Sequence, residues 1–259
     1  MAARPSLMLA MALPSLVCAL GCGGESVLLD LPENQTAAQP CDVGKQLTFT
    51  PLDDFESTSD ANFNYYANPD DPSGKTITDP PGADPNAAGL QEVDRCPGSP
   101  QASVYALHVS GSGYVTYGPN LGWTIGNSSD EARDYSGQSG VAFWARTDST
   151  EPQVITLTLN DVYTFPVDDV ASRHCVLATP DTPPPSAGTG CWNGGQTTRS
   201  LSNNWRLYTA DFSEFTEQTW GAQSPGGRPD LKHLLSIEFH FPVAASFDLW
   251  IDDISLFKR

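Results

Sequence analysis

From residue 104 onward the chain repeats one pattern: short runs rich in β-branched and aromatic residues, alternating with period two and separated by Gly, Pro, Asn, Asp and Ser clusters. Successive side chains of a strand point to opposite faces, so this spacing reads as strands joined by turns. The runs cover 104–110, 114–117, 123–126, 140–146, 153–159, 205–212, 234–241 and 247–257, and an earlier one covers 47–56. No segment sustains the 3.6-residue apolar period of a helix, and the 22 glycines and 22 prolines favour turns over long helices. Eight to ten strands without helices point to an all-β fold, a jelly-roll β-sandwich over 47–259, behind a disordered N-terminal signal and tether. Residues 57–100 hold many Asp, Asn, Pro and Gly and lack apolar content for a core of their own, so they read as a long loop.

The first 22 residues carry one base, Arg4, then an apolar run from Leu7 to Leu20, then Gly21-Cys22. That order is a secretory signal, too short for a membrane-spanning helix. Ala19-Leu20-Gly21-Cys22 resembles the lipobox of bacterial lipoproteins, with Ala19 where Leu is usual. It implies cleavage before Cys22, lipidation of that cysteine and anchoring of an exported protein at the outer membrane or cell surface. The alternative is ordinary secretion after cleavage nearby. Residues 23–46 are polar and irregular and form a tether. Cys41, Cys96, Cys175 and Cys191 then remain, which in an exported chain read as two disulfides with three possible connectivities. Cys175 and Cys191 bracket a Pro-rich stretch and are expected to close it, leaving Cys41 to pair with Cys96. Zinc is the weaker reading, since no C-x-x-C is present.

Alternation assigns faces. Leu107 and Val109 point inward and His108 outward; Val141, Phe143 and Ala145 point inward and Trp144 and Arg146 outward. Thr156 and Thr158 face out from their run, and Glu238 and His240 from theirs. No G-x-S-x-G, H-E-x-x-H, phosphate-binding glycine loop or EF-hand spacing occurs, so nothing marks an enzyme. Thirteen Lys and Arg against 31 Asp and Glu give a net charge of −18, which argues against nucleic acid as a partner. Two acidic doublets lie inside apolar runs, Asp53-Asp54 near the start and Asp252-Asp253 near the end. Carboxylates in strands are costly unless paired or bound to a cation, and a structural calcium would resolve the conflict if the first and last strands lie side by side.

Three segments carry a family resemblance: Leu52-Asp53-Asp54-Phe55-Glu56, the stretch from Asn204-Trp205-Arg206 to Glu214-Phe215, and Leu249-Trp250-Ile251-Asp252-Asp253-Ile254-Ser255-Leu256. In this order they resemble galactose-binding-like jelly rolls, and most nearly the family 11 carbohydrate-binding modules. The resemblance implies a noncatalytic sandwich that holds polysaccharide or a surface glycan on a concave face, with structural calcium near the first and last strands. By position it makes Asp54, Glu56 and Asp252 candidate calcium ligands. It makes Trp144, Arg146, Thr156, Glu238 and His240 candidates for glycan contact, with Tyr114, Tyr117 and Trp123 as possible supplements. Sugars stack their apolar faces on aromatic rings and bond to planar polar groups, which suits that set. The rival expectation is a structural or protein-interaction lipoprotein of the same fold that binds no sugar.

Overall fold

The structure is a computed structural model and describes residues 47–55, 63–66, 75–78, 90–92, 105–114, 118–126, 131–167, 169, 173–177 and 186–259. Cys22, expected to be lipidated, the stretch 23–46 expected to be a tether, Cys41, Cys96, Glu56 and Tyr117 lie outside them. Twelve strands are described: β1 (Thr48–Asp53), β2 (Phe63–Tyr66), β3 (Lys75–Thr78), β4 (Leu90–Glu92), β5 (Tyr105–Tyr114), β6 (Asn120–Thr124), β7 (Gly140–Arg146), β8 (Val154–Asp161), β9 (Gly195–Ser200), β10 (Arg206–Asp211), β11 (Leu234–His240) and β12 (Ala244–Lys258). The only helical element among the described residues is a 3-10 turn at Phe212–Glu214.

The strands form two antiparallel sheets, which we call A and B. Sheet A runs β10-β7-β12-β5-β3, with β1 also on β12 and β4 also on β5; sheet B runs β2-β6-β11-β8-β9. Strand β12 is long enough to serve two neighbours on one edge. It pairs with β5 from Ala244 to Ile251 and with β1 from Ile254 to Lys258, and the register shifts between Asp252 and Ser255. Asp253 takes the left-handed backbone at that irregularity, with φ of 47°. The first and last strands therefore do lie side by side.

The inward residues of each run meet between the sheets. Leu107, Val109, Val141, Phe143, Ala145, Leu249 and Ile251 come from sheet A, and Leu121, Trp123, Ile155, Leu157, Leu159, Ile237 and Phe239 from sheet B. Phe143 joins the layers by meeting Phe239 edge to face at 5.0 Å while stacking on Tyr208 at 5.5 Å. Such pairs add about 0.5–1.5 kcal/mol beyond the burial of their area. This is a jelly-roll β-sandwich, as the alternation predicts.

Four strands were not evident from apolar content. β2, β3 and β4 occupy the stretch read as a long loop, and β9 has the polar sequence Gly-Gln-Thr-Thr-Arg-Ser. β2 and β9 are the edges of sheet B, while β3 and β4 cap β5. An edge or capping strand is held by its ladder of backbone bonds to one neighbour and needs no alternating apolar face. Cys175 and Cys191 form the expected disulfide, closing a 16-residue separation.

Candidate functional site

Residues directly opposed in an antiparallel pair project from the same face, so the registers define what each sheet shows outward. On sheet B, His240 of β11 opposes Asn120 of β6 and Thr156 of β8, and Thr156 opposes Thr198 of β9. In the next row Glu238 opposes Gly122 and Thr158, and Thr158 opposes Gln196. A third row aligns Thr124, Ser236 and Asn160. Three ranks of amides, hydroxyls, an imidazole and a carboxylate thus stand on one face, with glycine at the middle of β6.

The centre of this face is buried. Glu238 is 8% exposed, Thr158 6%, Ser236 5% and Asn160 1%, although all four point away from the core. Polar groups so placed must be hydrogen-bonded. The Asn120 Nδ2 donates to Glu238 Oε2 at 2.9 Å, and Asn160 Nδ2 donates to Ser236 Oγ at 2.9 Å. These bonds fix the orientation of the planar groups before any ligand arrives, which lowers the entropy cost of binding. Asn120 follows Gly118-Pro119 and falls between the runs 114–117 and 123–126; its alternation with Gly122 and Thr124 was the available signal.

Sheet A presents a different outer face. Trp250 of β12 opposes both Arg146 of β7 and His108 of β5, and Trp144 opposes Asp252 and Leu207. The His108 ring stacks on Trp250 with centroids 4.0 Å apart and planes 10° from parallel. The Arg146 guanidinium carbon lies 4.4 Å from the Trp250 ring centre and 5.6 Å from that of Trp205. Asp148 accepts from Trp250 Nε1 at 2.8 Å and pairs with Arg146. Asp248 accepts from His108 Nε2 at 2.9 Å, from the Asp148 N–H at 2.7 Å and from Thr147 Oγ1 at 3.3 Å. Burial pushes the Asp248 carboxyl up, but the bonds from His108, the Asp148 N–H and Thr147, with the charge of His108, outweigh it and hold the group below the ordinary aspartate value.

The five residues expected to touch glycan are therefore divided between two faces on opposite sides of the core. Thr156, Glu238 and His240 stand together on sheet B, while Trp144 and Arg146 stand on sheet A, where Arg146 is engaged by Asp148 and two indoles. Alternation tells in from out but not which sheet a strand joins. Tyr114 and Trp123, expected as supplementary contacts, are corrected: they are 1% and 2% exposed and belong to the core. Trp123 opposes Ile237 and turns inward with it.

The acidic doublets resolve asymmetrically. Asp53 turns into the sandwich, 6% exposed, and accepts from the Phe55 N–H at 2.9 Å and from Trp123 Nε1 at 2.8 Å. Asp54 is exposed. Asp252 is wholly buried, and its Oδ1 accepts from the Asp253 N–H at 2.7 Å. Two donors thus reach the inward-turned Asp53 carboxylate. Asp54 and Asp252 lie at one end of the β1–β12 pairing. Among the described residues one group has three metal-ligating side chains within 4.8 Å, namely His108, Asp148 and Asp248.

A second buried acidic centre lies at the far end of β8. Asp161 accepts from the N–H groups of Tyr163, Thr164 and Asp230 and from the hydroxyls of Thr164 and Ser224. Glu217 accepts from the Ser224 N–H at 2.8 Å through Oε2, while its Oε1 is buried without a hydrogen bond. Burial raises the Glu217 carboxyl above its ordinary value, and the charge of Asp161 adds to that, against the lowering effect of the Ser224 bonds.

Comparison with known proteins places this fold. No family model matches the sequence, and no curated protein matches it. Among solved structures, the family 11 carbohydrate-binding module from Clostridium thermocellum, in complex with a β-1,3-1,4-mixed-linked tetrasaccharide, superposes with a TM-score of 0.50 at 17% identity over 81% of this chain and 94% of that one. A solution structure of CtCBM11 matches with a TM-score of 0.50 at 14% identity over 82% of this chain and 95% of that one. The chain has the fold of the family 11 carbohydrate-binding modules.

Proposed function

We propose that the outer face of sheet B binds a neutral saccharide chain without catalysing its cleavage. The observation that carries this reading is the polar rank of Asn120, Glu238, His240, Thr156 and Thr158 on one face of the sandwich, with Asn120 and Glu238 oriented by their mutual hydrogen bond. Hydroxyl-rich ligands are recognised by amide, carboxylate and imidazole groups held in fixed planes, since each such group can bond two vicinal hydroxyls. The mixed-linked tetrasaccharide held by the Clostridium thermocellum module supports the same class of ligand. The net charge of −18 favours a neutral glycan over an acidic one, because like charges repel.

The finer parts of the reading rest on the sequence. Export by the N-terminal signal and acylation at Cys22 would present the domain on a tether at the outer membrane or cell surface, where extracellular polysaccharide is met. Asp54, Glu56 and Asp252 would hold one calcium between the first and last strands, contributing stability and no chemistry. Isothermal titration of the folded domain against mixed-linked, β-1,4- and β-1,3-glucan oligosaccharides tests the binding claim. Heats indistinguishable from dilution across the panel, with calcium present, would refute it.

A further inference from the structure

Three of the five large hydrophobic side chains most exposed among the described residues, Val176 at 46%, Trp192 at 46% and Trp220 at 53%, come from one rigid device. The segments 175–177, 188–192 and 220–222 are tied edge to edge. Val176 bridges Gly190, and Gly190 bridges Gly221. The Val176 N–H donates to Thr189 O, Cys191 N–H to Val176 O, Gly188 N–H to Trp220 O and Ala222 N–H to Gly190 O. The Cys175–Cys191 disulfide closes the loop.

Within this device Trp192 is held in a conformation that a tryptophan rarely adopts. Its φ is 69°, in the left-handed region, where a Cβ-bearing residue is strained. Its N–H donates to Thr164 O at 2.8 Å, and the Phe165 ring meets its own edge to face at 4.8 Å. The next residue, Asn193, is buried and donates from Nδ2 to Gln218 O and Ala222 O. The fold therefore spends strain and bracing to keep an indole half in water, which opposes the hydrophobic effect unless a ligand covers the ring.

Its position indicates that ligand. Gly194 packs so closely on the polar face of sheet B that an added Cβ would come within 2.3 Å of Asn160 Oδ1 and 2.7 Å of Thr158 Cγ2. Two residues on, Gln196 of β9 joins the row of Glu238 and Thr158. Trp192 thus stands at the corner of that face where β8 ends and β9 begins. We propose that Trp192 is a stacking platform that takes the apolar face of a pyranose ring, extending the sheet B site by an additional sugar position. This inference rests on the reading of sheet B as a saccharide face. Stacking on an indole also suits a chain of net charge −18, since it selects neutral sugars by shape and needs no counter-charge.

The test is titration of the full folded protein with a length series of neutral glucan oligosaccharides, comparing the wild type with Trp192→Ala, Trp192→Phe and Glu238→Gln. Trp192→Ala is expected to weaken the longer oligosaccharides about five- to tenfold, to spare the shortest that bind and to abolish the change in indole fluorescence on binding. Trp192→Phe, which keeps an aromatic face, is expected to retain most of the affinity. The melting temperature of both variants should stay within a few degrees of the wild type, the Ala variant losing the Phe165 contact. If Trp192→Ala binds every length as the wild type does while Glu238→Gln loses affinity, the platform is refuted and the sheet B reading stands. If the wild type binds none of the series, both fall. Equal loss at every length with a lowered melting temperature would make Trp192 structural. Trp192-dependent sedimentation with phosphatidylcholine vesicles, with glycan affinity unchanged, would assign the exposed ring to a lipid surface instead.

Discussion

Asp53 offers the sharpest perturbation of the architecture. Its carboxylate lies inside the sandwich and receives two buried donors, the Phe55 N–H at 2.9 Å and Trp123 Nε1 at 2.8 Å. The same indole packs edge to face on Phe55 and Phe239, so the acid positions a ring at the centre of the core. Replacing Asp53 with Ala removes both acceptors and leaves two donors without partners in a dry interior, each costing about 1–3 kcal/mol. Taking about 4 kcal/mol for the pair, at roughly 2–4 °C per kcal/mol for a domain of this size, the melting temperature should fall by about 8–16 °C. Asp53→Asn retains one acceptor oxygen and should lose about half as much. Asp54→Ala, at the exposed neighbour, should cost less than Asp53→Ala in the absence of calcium. Thermal unfolding followed by circular dichroism, with chelator present, measures all three. Equal melting temperatures for Asp53→Ala and wild type would refute the reasoning, as would a larger loss from Asp54→Ala than from Asp53→Ala.

Other outcomes follow from the same structure. Glu217 has a raised carboxyl, so its ionisation opposes folding: the stability it allows is complete below the unfolded glutamate value, near 4.5, and is lost as pH rises through the folded value. Glu217→Gln should therefore shift the melting temperature more favourably at pH 7 than at pH 4, and equal shifts at both would contradict the assignment. Asp248 has the opposite sign, so the stability it contributes is present above the unfolded aspartate value, near 3.8, and is lost as pH falls through the folded value; Asp248→Asn should flatten the acid limb of the stability curve. Removing the Cys175–Cys191 bridge by paired Ser substitution should cost about 3 kcal/mol for a loop of this length, or about 6–12 °C. A calcium held by Asp54, Glu56 and Asp252 at a concentration about 100 times its dissociation constant should stabilise by about 2.7 kcal/mol, and a melting temperature indifferent to chelator would remove that site.

Much of this molecule is legible in its sequence where one face of a strand is buried. The alternation in Ile155-Thr156-Leu157-Thr158-Leu159 and in Ile237-Glu238-Phe239-His240 sets their facing, because a slip of one residue would put every aliphatic side chain in water. β9 and β2–β4 escape that logic, since backbone pairing to one neighbour holds them and their side chains need not be apolar. The candidate site was legible only in pieces. Trp144 and Glu238 carry the same outward pattern, yet the crossovers send β7 to sheet A and β11 to sheet B. Which aspartate of a doublet turns inward depends on the irregularity between Pro51 and Asp53, a three-dimensional property of the β1–β12 pair. The exposure of Trp192 depends on a disulfide and on backbone bonds to segments distant in sequence.

The central claim is that saccharide binds the outer face of sheet B and not that of sheet A. Isothermal titration of one mixed-linked glucan oligosaccharide into the wild type, Glu238→Gln, His240→Ala and Trp144→Ala tests it directly. The sheet B variants should each lose about tenfold or more in affinity with unchanged melting temperature, and Trp144→Ala should bind as the wild type does. Loss of binding in Trp144→Ala with full affinity in both sheet B variants would contradict the account.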